Sequence, residues 1–354
     1  MRAAQHALHP EAVTYRLEFR RYRLPFRRAV RTAHGWWRER EGLVLRLEDE
    51  AGGVGFGEVA PIPWFGTETL AEVEALLGRL GGVVDAGCVE QVDERYGCLR
   101  FALGCVLGRE AGIPAVQRLP VAALLPAGKA ACEAADQALA AGYVAFKWKV
   151  GVLDDADEWV VLDDLLARLP GHAKLRLDAN GAWTARRAMR WLARCAERPI
   201  EFVEQPCYAE TSQGTALERR TDDVLLGLAR DYPTPIALDE SVAGLPGLRA
   251  WLERGWRGVV VVKPALAGDP ATVLAMLAGH QADVVFSSAF ETGVGRQAAL
   301  RMAFSFKGRQ PRALGFGVGP LFQDGRFDGM PPVPFLELHA VNHLQVEVIW
   351  NALN

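Results

Sequence analysis

The sequence predicts an α/β protein in which a closed barrel of alternating strands and helices follows a small α+β unit. Three observations predict it. Beyond about residue 120, eight short β-rich runs are spread over about two hundred residues. Nearly every gap between them is long enough to hold a helix, which suits a (β/α)8-type barrel. Before that point the pattern differs, with alternating strands first and helices afterwards. An open doubly wound sheet would place a glycine-rich phosphate loop after its first strand, and Leu124-Leu125-Pro126-Ala127-Gly128 is not one.

Composition narrows the function classes. The chain has 354 residues, half of them hydrophobic and 23% charged, with a formal net charge of -3. That is the profile of a soluble globular protein and gives no reason to expect nucleic acid as a partner. The apolar run around Gly258–Val262 falls well short of the roughly 18 to 20 residues of a spanning helix, so no membrane contact is expected. Met1–Val13 lacks the apolar stretch of a secretory leader. Cys88, Cys98, Cys105, Cys132, Cys195 and Cys207 form no CxxC pair and no zinc-ligand spacing, which predicts reduced core thiols in a cytoplasmic protein. The sequence carries no signal for an oligomeric state.

Residues 1–14 read as a tail. The α+β unit then spans residues 15–115. Tyr15–Leu24 and Leu43–Glu48 alternate apolar and polar residues, and Gly52-Gly53 turns the chain into Val54–Val59. A loop bearing Pro61, Pro63 and Gly66 follows. Leu70, Val73, Leu77 and Leu80 recur at helical spacing behind a capping box of Thr69 and Glu72. A second helix is predicted over Cys98–Gly108. Nine arginines lie between Arg16 and Arg40. They read either as solvated strand faces or, for Arg31, Arg38 or Arg40 on a loop, as groups that draw in an anionic substrate.

The barrel is predicted over residues 116–320, with strands at Val121–Leu125, Ala145–Val150, Lys174–Asn180, Phe202–Pro206, Ile236–Glu240, Gly258–Pro264, Asp283–Phe290 and Leu314–Gly319. In such barrels the reacting groups project from the C-terminal strand ends. Five consecutive runs end in charge: Lys147-Trp148-Lys149, Asp178-Ala179-Asn180, Glu204-Gln205, Asp239-Glu240 and Lys263. The next ends in Ser287-Ser288. The final stretch, 321–354, alternates again over Phe335–Ile349 and is expected to pair back onto the N-terminal unit.

Asp178, Glu204 and Asp239 would converge at the barrel mouth, too much like charge for a small volume unless a cation neutralises it. An all-oxygen set suits a hard divalent ion, magnesium first and manganese second. Asn180 shares the Asp178 face and would orient a ligand or a bound water. Lys147 and Lys149 share a face directed into the barrel, while Trp148 points outward. Two ammonium groups side by side and near a metal ion depress each other's pKa, leaving one of them neutral and able to act as a base. Lys263 would stand across the cavity, or pair with Asp239. A metal between amines suits removal of a proton next to a carboxylate.

These residues resemble a known pattern. Lys147-x-Lys149, Leu175-Arg-Leu-Asp-Ala-Asn180, Val203-Glu-Gln-Pro206, Leu238-Asp-Glu-Ser241 and Val262-Lys-Pro264, in that order, resemble the muconate lactonizing enzyme subgroup of the enolase superfamily. The resemblance covers most of the chain. It implies a (β/α)7β modified TIM barrel with an N-terminal α+β capping domain and a returning C-terminal segment. It also implies that Asp178, Glu204 and Asp239 bind magnesium, that Lys149 is the base and Lys147 tunes it, and that Lys263 lies on the opposite face of the substrate.

Within the subgroup, Gly57–Pro63 with Phe65–Thr69, the Arg176-Leu-Asp178 strand and Ser287-Ser288 resemble a dehydratase branch of menaquinone and phylloquinone biosynthesis. Its implied partner is an anionic cyclic carboxylate that loses water. Arg176, Asn180, Ser287, Ser288, Gly315 and Gly317 would then contact substrate, under loops Arg31–Glu41 and Glu58–Thr69. The chain departs from the dipeptide epimerases, whose eighth strand ends in Asp-x-Asp where Gly315-Phe-Gly-Val-Gly319 stands here. A racemase or cycloisomerase on the same scaffold remains the alternative.

Overall fold

The alternation of the N-terminal unit folds as an antiparallel sheet in a computed structural model that describes residues 13–32, 35–110, 112–208, 216–309 and 311–353. Strand β1 (Thr14–Thr32) pairs along its length with β2 (Gly35–Asp49). β3 (Val54–Val59) follows the Gly52-Gly53 turn, where Gly52 takes a left-handed φ of 83° and Asp49 Oδ1 accepts the Gly53 amide at 2.7 Å. Helix α1 (Leu70–Leu80) opens with the capping box, Thr69 accepting from the Glu72 amide and Glu72 accepting from the Thr69 amide at 2.8 Å. It buries Leu70, Val73 and Leu77 against the sheet. β4 (Val83–Asp85) pairs with the start of β1, so the sheet runs β3-β2-β1-β4. Helix α2 (Gly97–Val106), wholly buried, packs so close to β3 that a Cβ on Gly57 would collide with the Ala102 carbonyl.

One expectation fails here. The described residues of Arg31–Glu41 are not a loop but the paired ends of β1 and β2, with Val30 opposite Trp37 and Arg31 opposite Trp36. The reason is Pro25, which has no amide to give the ladder. The register shifts between Pro25 and Val30, so the alternation breaks in sequence while the hairpin continues in space. The 1–14 tail lies outside the described residues save its last two positions.

β5 (Arg118–Pro120) leads into β6 (Ala122–Leu125), after which strands and helices alternate: α3 (Ala130–Ala140), β7 (Ala145–Lys149), α4 (Asp155–Arg168), β8 (Lys174–Asp178), α5 (Ala185–Cys195), β9 (Ile200–Glu204), α6 (Ala216–Asp231), β10 (Ile236–Leu238), α7 (Gly244–Glu253), β11 (Val259–Val262), the short α8 (Pro264–Ala267), α9 (Pro270–Gly279), β12 (Asp283–Phe286) and α10 (Gly293–Ser305). The strands β6 to β12 lie parallel in chain order as one seven-stranded sheet. Phe202, Ala237, Val259, Val261 and Val285 fill its inside, while outward residues such as Trp148 and Phe146 join the core shared with the helices. The fold is therefore a modified TIM barrel carrying a β-rich cap.

The eighth run, Leu314–Gly319, forms no regular strand. It closes the barrel through two parallel bridges, Val121 with Leu314 and Ser287 with Gly315, and the Leu314 amide donates to the Pro120 carbonyl at 2.8 Å. The neighbours crowd it: a Cβ on Gly315 would strike the Ser287 side chain and one on Gly317 the Ala122 carbonyl.

The C-terminal alternation also misleads. Only β13 (Phe335–Glu337) is extended, and it pairs with β5 rather than with the N-terminal sheet. Helices α11 (Leu338–Asn342) and α12 (Val346–Ala352) follow. α12 still packs back onto the cap, placing Ile349 and Trp350 with Tyr22, Leu24 and Val44, and Arg20 donates to the Trp350 carbonyl at 2.7 Å.

Candidate active site

The C-terminal ends of the barrel strands and the underside of the cap enclose a cavity of about 370 Å³. From the barrel come Lys147, Lys149, Asp178, Asn180, Asp239, Lys263, Ser287, Ser288, Gly315 and Gly317. The cap contributes an apolar roof that includes Trp37, Ile62, Trp64 and Phe65. Period-two geometry puts both lysines of β7 on the inner face, and Trp148 between them is fully buried on the other side. β7 and β11 are the second and sixth strands of the barrel, so in an eight-position ring Lys149 and Lys263 face one another across it.

The charges are paired unequally. Lys147 Nζ donates to Glu204 Oε1 at 2.6 Å and sits 2.8 Å from Asp178 Oδ2. Lys263 Nζ donates to Asp239 Oδ1 and lies 4.3 Å from the centre of the Phe65 ring. Lys149 lines the cavity and, among the described residues, has neither ion pair nor hydrogen bond.

Electrostatics follow from this crowding. Burial alone would lower the pKa of Lys147, but Asp178, Glu204 and Asp239 outweigh it and hold the ammonium well above its usual range. Lys147 is thus a cation locked between acids, and Lys149 is the amine of the pair left open to the cavity. Burial would raise Asp178, yet Lys147, then Lys149 and the Asn180 amide, keep it low. Glu204 is pushed up by burial and by the charge of Asp178, against the pull of Lys147, and by Asp239 as well. Three acids that feel one another this strongly share one volume.

As the side chains lie, no three acids among the described residues stand at metal-ligand distances from one another. The donor set nonetheless fits a hard divalent ion: every donor is a carboxylate oxygen, the three come from consecutive strands, and a cation, the Lys147 ammonium, already bridges two of them.

Arg176 does not reach the cavity. It faces the interior one layer below Asp178, where Nε donates to Glu201 Oε2 at 2.6 Å and Nη1 to the Ala313 carbonyl at 2.7 Å. Arg312 completes this floor by donating to Glu201 at 2.6 Å and to both oxygens of Asp283. Of the three candidate arginines, Arg31 lines the cavity, Arg38 is exposed outside it, and Arg40 is buried, donating to the backbone carbonyls of Pro61, Ala60 and Phe290. Both serine hydroxyls are engaged: Ser287 donates to the Gly315 carbonyl at 3.2 Å, and Ser288 donates to Glu291 at 3.0 Å.

Two residues that the strand ends named without a role also shape the site. Gln205, fully buried with φ of 35°, uses its amide four ways. Oε1 accepts from the Asp239 and Ser241 amides at 2.9 and 3.2 Å, and Nε2 donates to the Cys207 carbonyl and Ser241 Oγ at 2.8 and 2.7 Å. It thereby ties the end of β9 to Asp239. Glu240 lines the cavity, accepts from Asn180 at 3.4 Å, and has a buried Oε2 without a partner. Its position after Asp239 was the only signal available.

A capped barrel whose mouth gathers acids between opposed amines defines an enzyme of the enolase type. Comparison with known proteins agrees. The family described as "Enolase C-terminal domain-like" matches residues 130–334, and the one described as "MenC, N-terminal domain" matches residues 15–106. The chain belongs to the enolase superfamily, in its muconate lactonizing enzyme subgroup. It is 40% identical over 310 residues to an o-succinylbenzoate synthase of Thermosynechococcus vestitus, covering 86% of this chain and 92% of that one. The crystal structure of o-succinylbenzoate synthase from Thermosynechococcus elongatus BP-1, complexed with magnesium in its active site, superposes with a TM-score of 0.80 at 37% identity, covering 96% of this chain and all of that one. The L-Ala-D/L-Glu epimerase of Bacillus subtilis shares the fold alone, at 21% identity and a TM-score of 0.74, covering 91% of this chain and 95% of that one.

Proposed function

We propose that this chain is an o-succinylbenzoate synthase, removing water from 2-succinyl-6-hydroxy-2,4-cyclohexadiene-1-carboxylate to give 2-succinylbenzoate, a magnesium-dependent step of menaquinone and phylloquinone biosynthesis. The observation that carries the reading is the Lys149 amine, unpaired among the described residues, which opens onto a cavity where the other two lysines are committed to carboxylates. The likeness to the Thermosynechococcus enzyme supplies the substrate.

Asp178, Glu204 and Asp239 would hold the magnesium, which supplies Lewis acidity toward the ring carboxylate and so spreads the negative charge that develops there. Lys149, in its amine form, takes the proton from the carbon bearing that carboxylate. The C–H electron pair moves into the ring, the carbon–oxygen bond of the hydroxyl breaks, and the Lys149 ammonium returns its proton to the departing oxygen. One lysine on one face serves both steps, which makes the elimination syn. Lys147 keeps Asp178 ionised and pulls against the burial that raises Glu204. Lys263 adds positive potential on the opposite face. The apolar roof excludes water while the charge is exposed. The thiols are free, five buried and one half-buried, as suits a cytoplasmic setting, and no helix of the described residues is long and apolar enough to cross a membrane.

Opposed lysines are also what two-base racemization needs, so N-succinylamino acid racemization is the second reading. Against an amino-group substrate, the Gly315, Gly317 and Val318 wall carries no acid to hold an ammonium. Incubation of the magnesium-loaded protein with each substrate in deuterated water separates them. The expected result is formation of 2-succinylbenzoate at a kcat/KM far above that for deuterium incorporation into an N-succinylamino acid. Deuterium incorporation without any 2-succinylbenzoate would overturn the assignment.

A further inference from the structure

The cap and the barrel meet at a buried carboxylate that the chemistry above does not use. Glu58, at the end of β3, is fully buried and accepts four hydrogen bonds. Tyr22 of β1 donates its hydroxyl to Oε1 at 2.5 Å. The other three donors belong to the barrel: the Thr292 amide at 2.9 Å, the Thr292 hydroxyl at 2.6 Å and the Gly295 amide at 2.8 Å. Thr292 is the N-cap of α10, so a carboxylate from the cap satisfies amides at the start of a barrel helix, where the helix dipole favours negative charge. Position 295 must be small for this, because a Cβ there would stand 2.8 Å from Glu58 Oε2.

The joint lies one step from the substrate cavity. The segment 287–290, just before α10, contributes Ser287, Ser288, Ala289 and Phe290 to the lining. Phe290 sits at a left-handed φ of 60°, a conformation a phenylalanine holds only when its surroundings impose it. Arg40 grips the same segment from β2, donating to the Phe290 and Ala289 carbonyls at 3.2 and 3.3 Å and to the Pro61 carbonyl of the cap at 2.7 Å. Glu291 holds it from within, accepting from Ser288 Oγ and the Ala289 amide. On the cap side, Trp37 of the hairpin stacks edge-on against Phe290, with ring centres 5.6 Å apart.

We infer that Glu58 is a positioning residue for substrate binding: it bolts the cap onto the 287–292 segment and so fixes the wall that meets the part of the substrate farthest from the acids. The inference rests on the proposed dehydration, because that reading puts the substrate in this cavity. Glu58 touches no reacting atom. It acts through the segment, so its loss shows in substrate affinity and not in the metal site, whose acids lie on β8, β9 and just after β10.

Two variants test the bolt from its two sides. Glu58→Gln keeps the shape but turns an amide NH2 toward two donors, and Gly295→Ala pushes the carboxylate away with a methyl group from the barrel side. Each is expected to raise KM about tenfold or more while kcat stays within about threefold and the magnesium titration is unchanged, and the double variant is expected to be little worse than either single one. Hydrogen exchange, which needs no substrate, is expected to quicken at residues 287–292 and to stay the same at 174–180. A lowered melting temperature with KM and exchange at 287–292 unchanged would make Glu58 merely structural and overturn the inference. So would lost magnesium affinity with KM intact. If the unmodified protein forms no 2-succinylbenzoate, the proposed function fails, and the exchange pattern alone then decides whether the bolt exists.

Discussion

Lys147 and Lys149 are separated by one tryptophan and share a strand face, yet the fold gives them different work. Lys147 is spent between Asp178 and Glu204, and Lys149 is left to the cavity. The acids and lysines could be singled out from sequence because each lies on the inner face at or next to the end of a barrel strand, and strand ends of such barrels project into the mouth. Arg176 shows where that logic stops. It shares the inner face with Asp178, but two residues earlier along a strand means one layer deeper, and there it meets Glu201 and Ala313. Burial would raise Glu201, but Arg176 and Arg312 outweigh it and hold its carboxyl below the usual range. A depressed folded value means the ion pair stabilises the protein fully above the unfolded carboxylate pKa of about 4.3, and that this contribution drains away as pH falls through the lower folded value. Arg176→Met should therefore cost about 3 kcal/mol at neutral pH, the low end for breaking a buried pair because Arg312 remains on Glu201. It should also flatten the acid side of the stability profile. Urea melts at several pH values check this, and unchanged stability with a raised KM would return Arg176 to the substrate.

At the scale of elements, the pieces read correctly are those whose signal is local. The capping box at Thr69 and Glu72 needs only neighbours three residues apart, and both of its bonds are present. Thr69→Ala should lower stability by about 1 kcal/mol in a denaturant melt without changing turnover. A change in KM instead would mean that the loop before α1 senses the substrate. The misread elements depend on distant partners. The hairpin beyond Pro25 continues because β2 runs alongside it, and Leu314–Gly319 stays irregular because Ala122 and Ser287 press on its glycines. In Phe335–Ile349 the residues that look alternating face two different neighbours, β5 through β13 and the cap through α12. Period-two patterning cannot distinguish that from one strand. The partners of Gln205, Glu240, Arg40 and Glu58 were illegible for the same reason: each takes its role from groups 20 to more than 200 positions away.

At the scale of the whole molecule, the barrel supplies charge and the cap supplies dryness. The strand ends gather the acids and the opposed lysines, while the hairpin and the 62–65 turn cover them with Trp37, Ile62, Trp64 and Phe65. Neither part encloses a site alone, which is why their joint bears on function as well as stability. All of the proposed chemistry depends on Lys149 being the one amine that works on the substrate while the acids hold the metal without it. The most direct measurement is 2-succinylbenzoate formation by Lys149→Ala, paired with a magnesium titration of the same protein. The expected outcome is a kcat lower by about 10²- to 10⁴-fold with magnesium affinity unchanged. Turnover at the unmodified rate, or magnesium affinity lost together with activity, would contradict it.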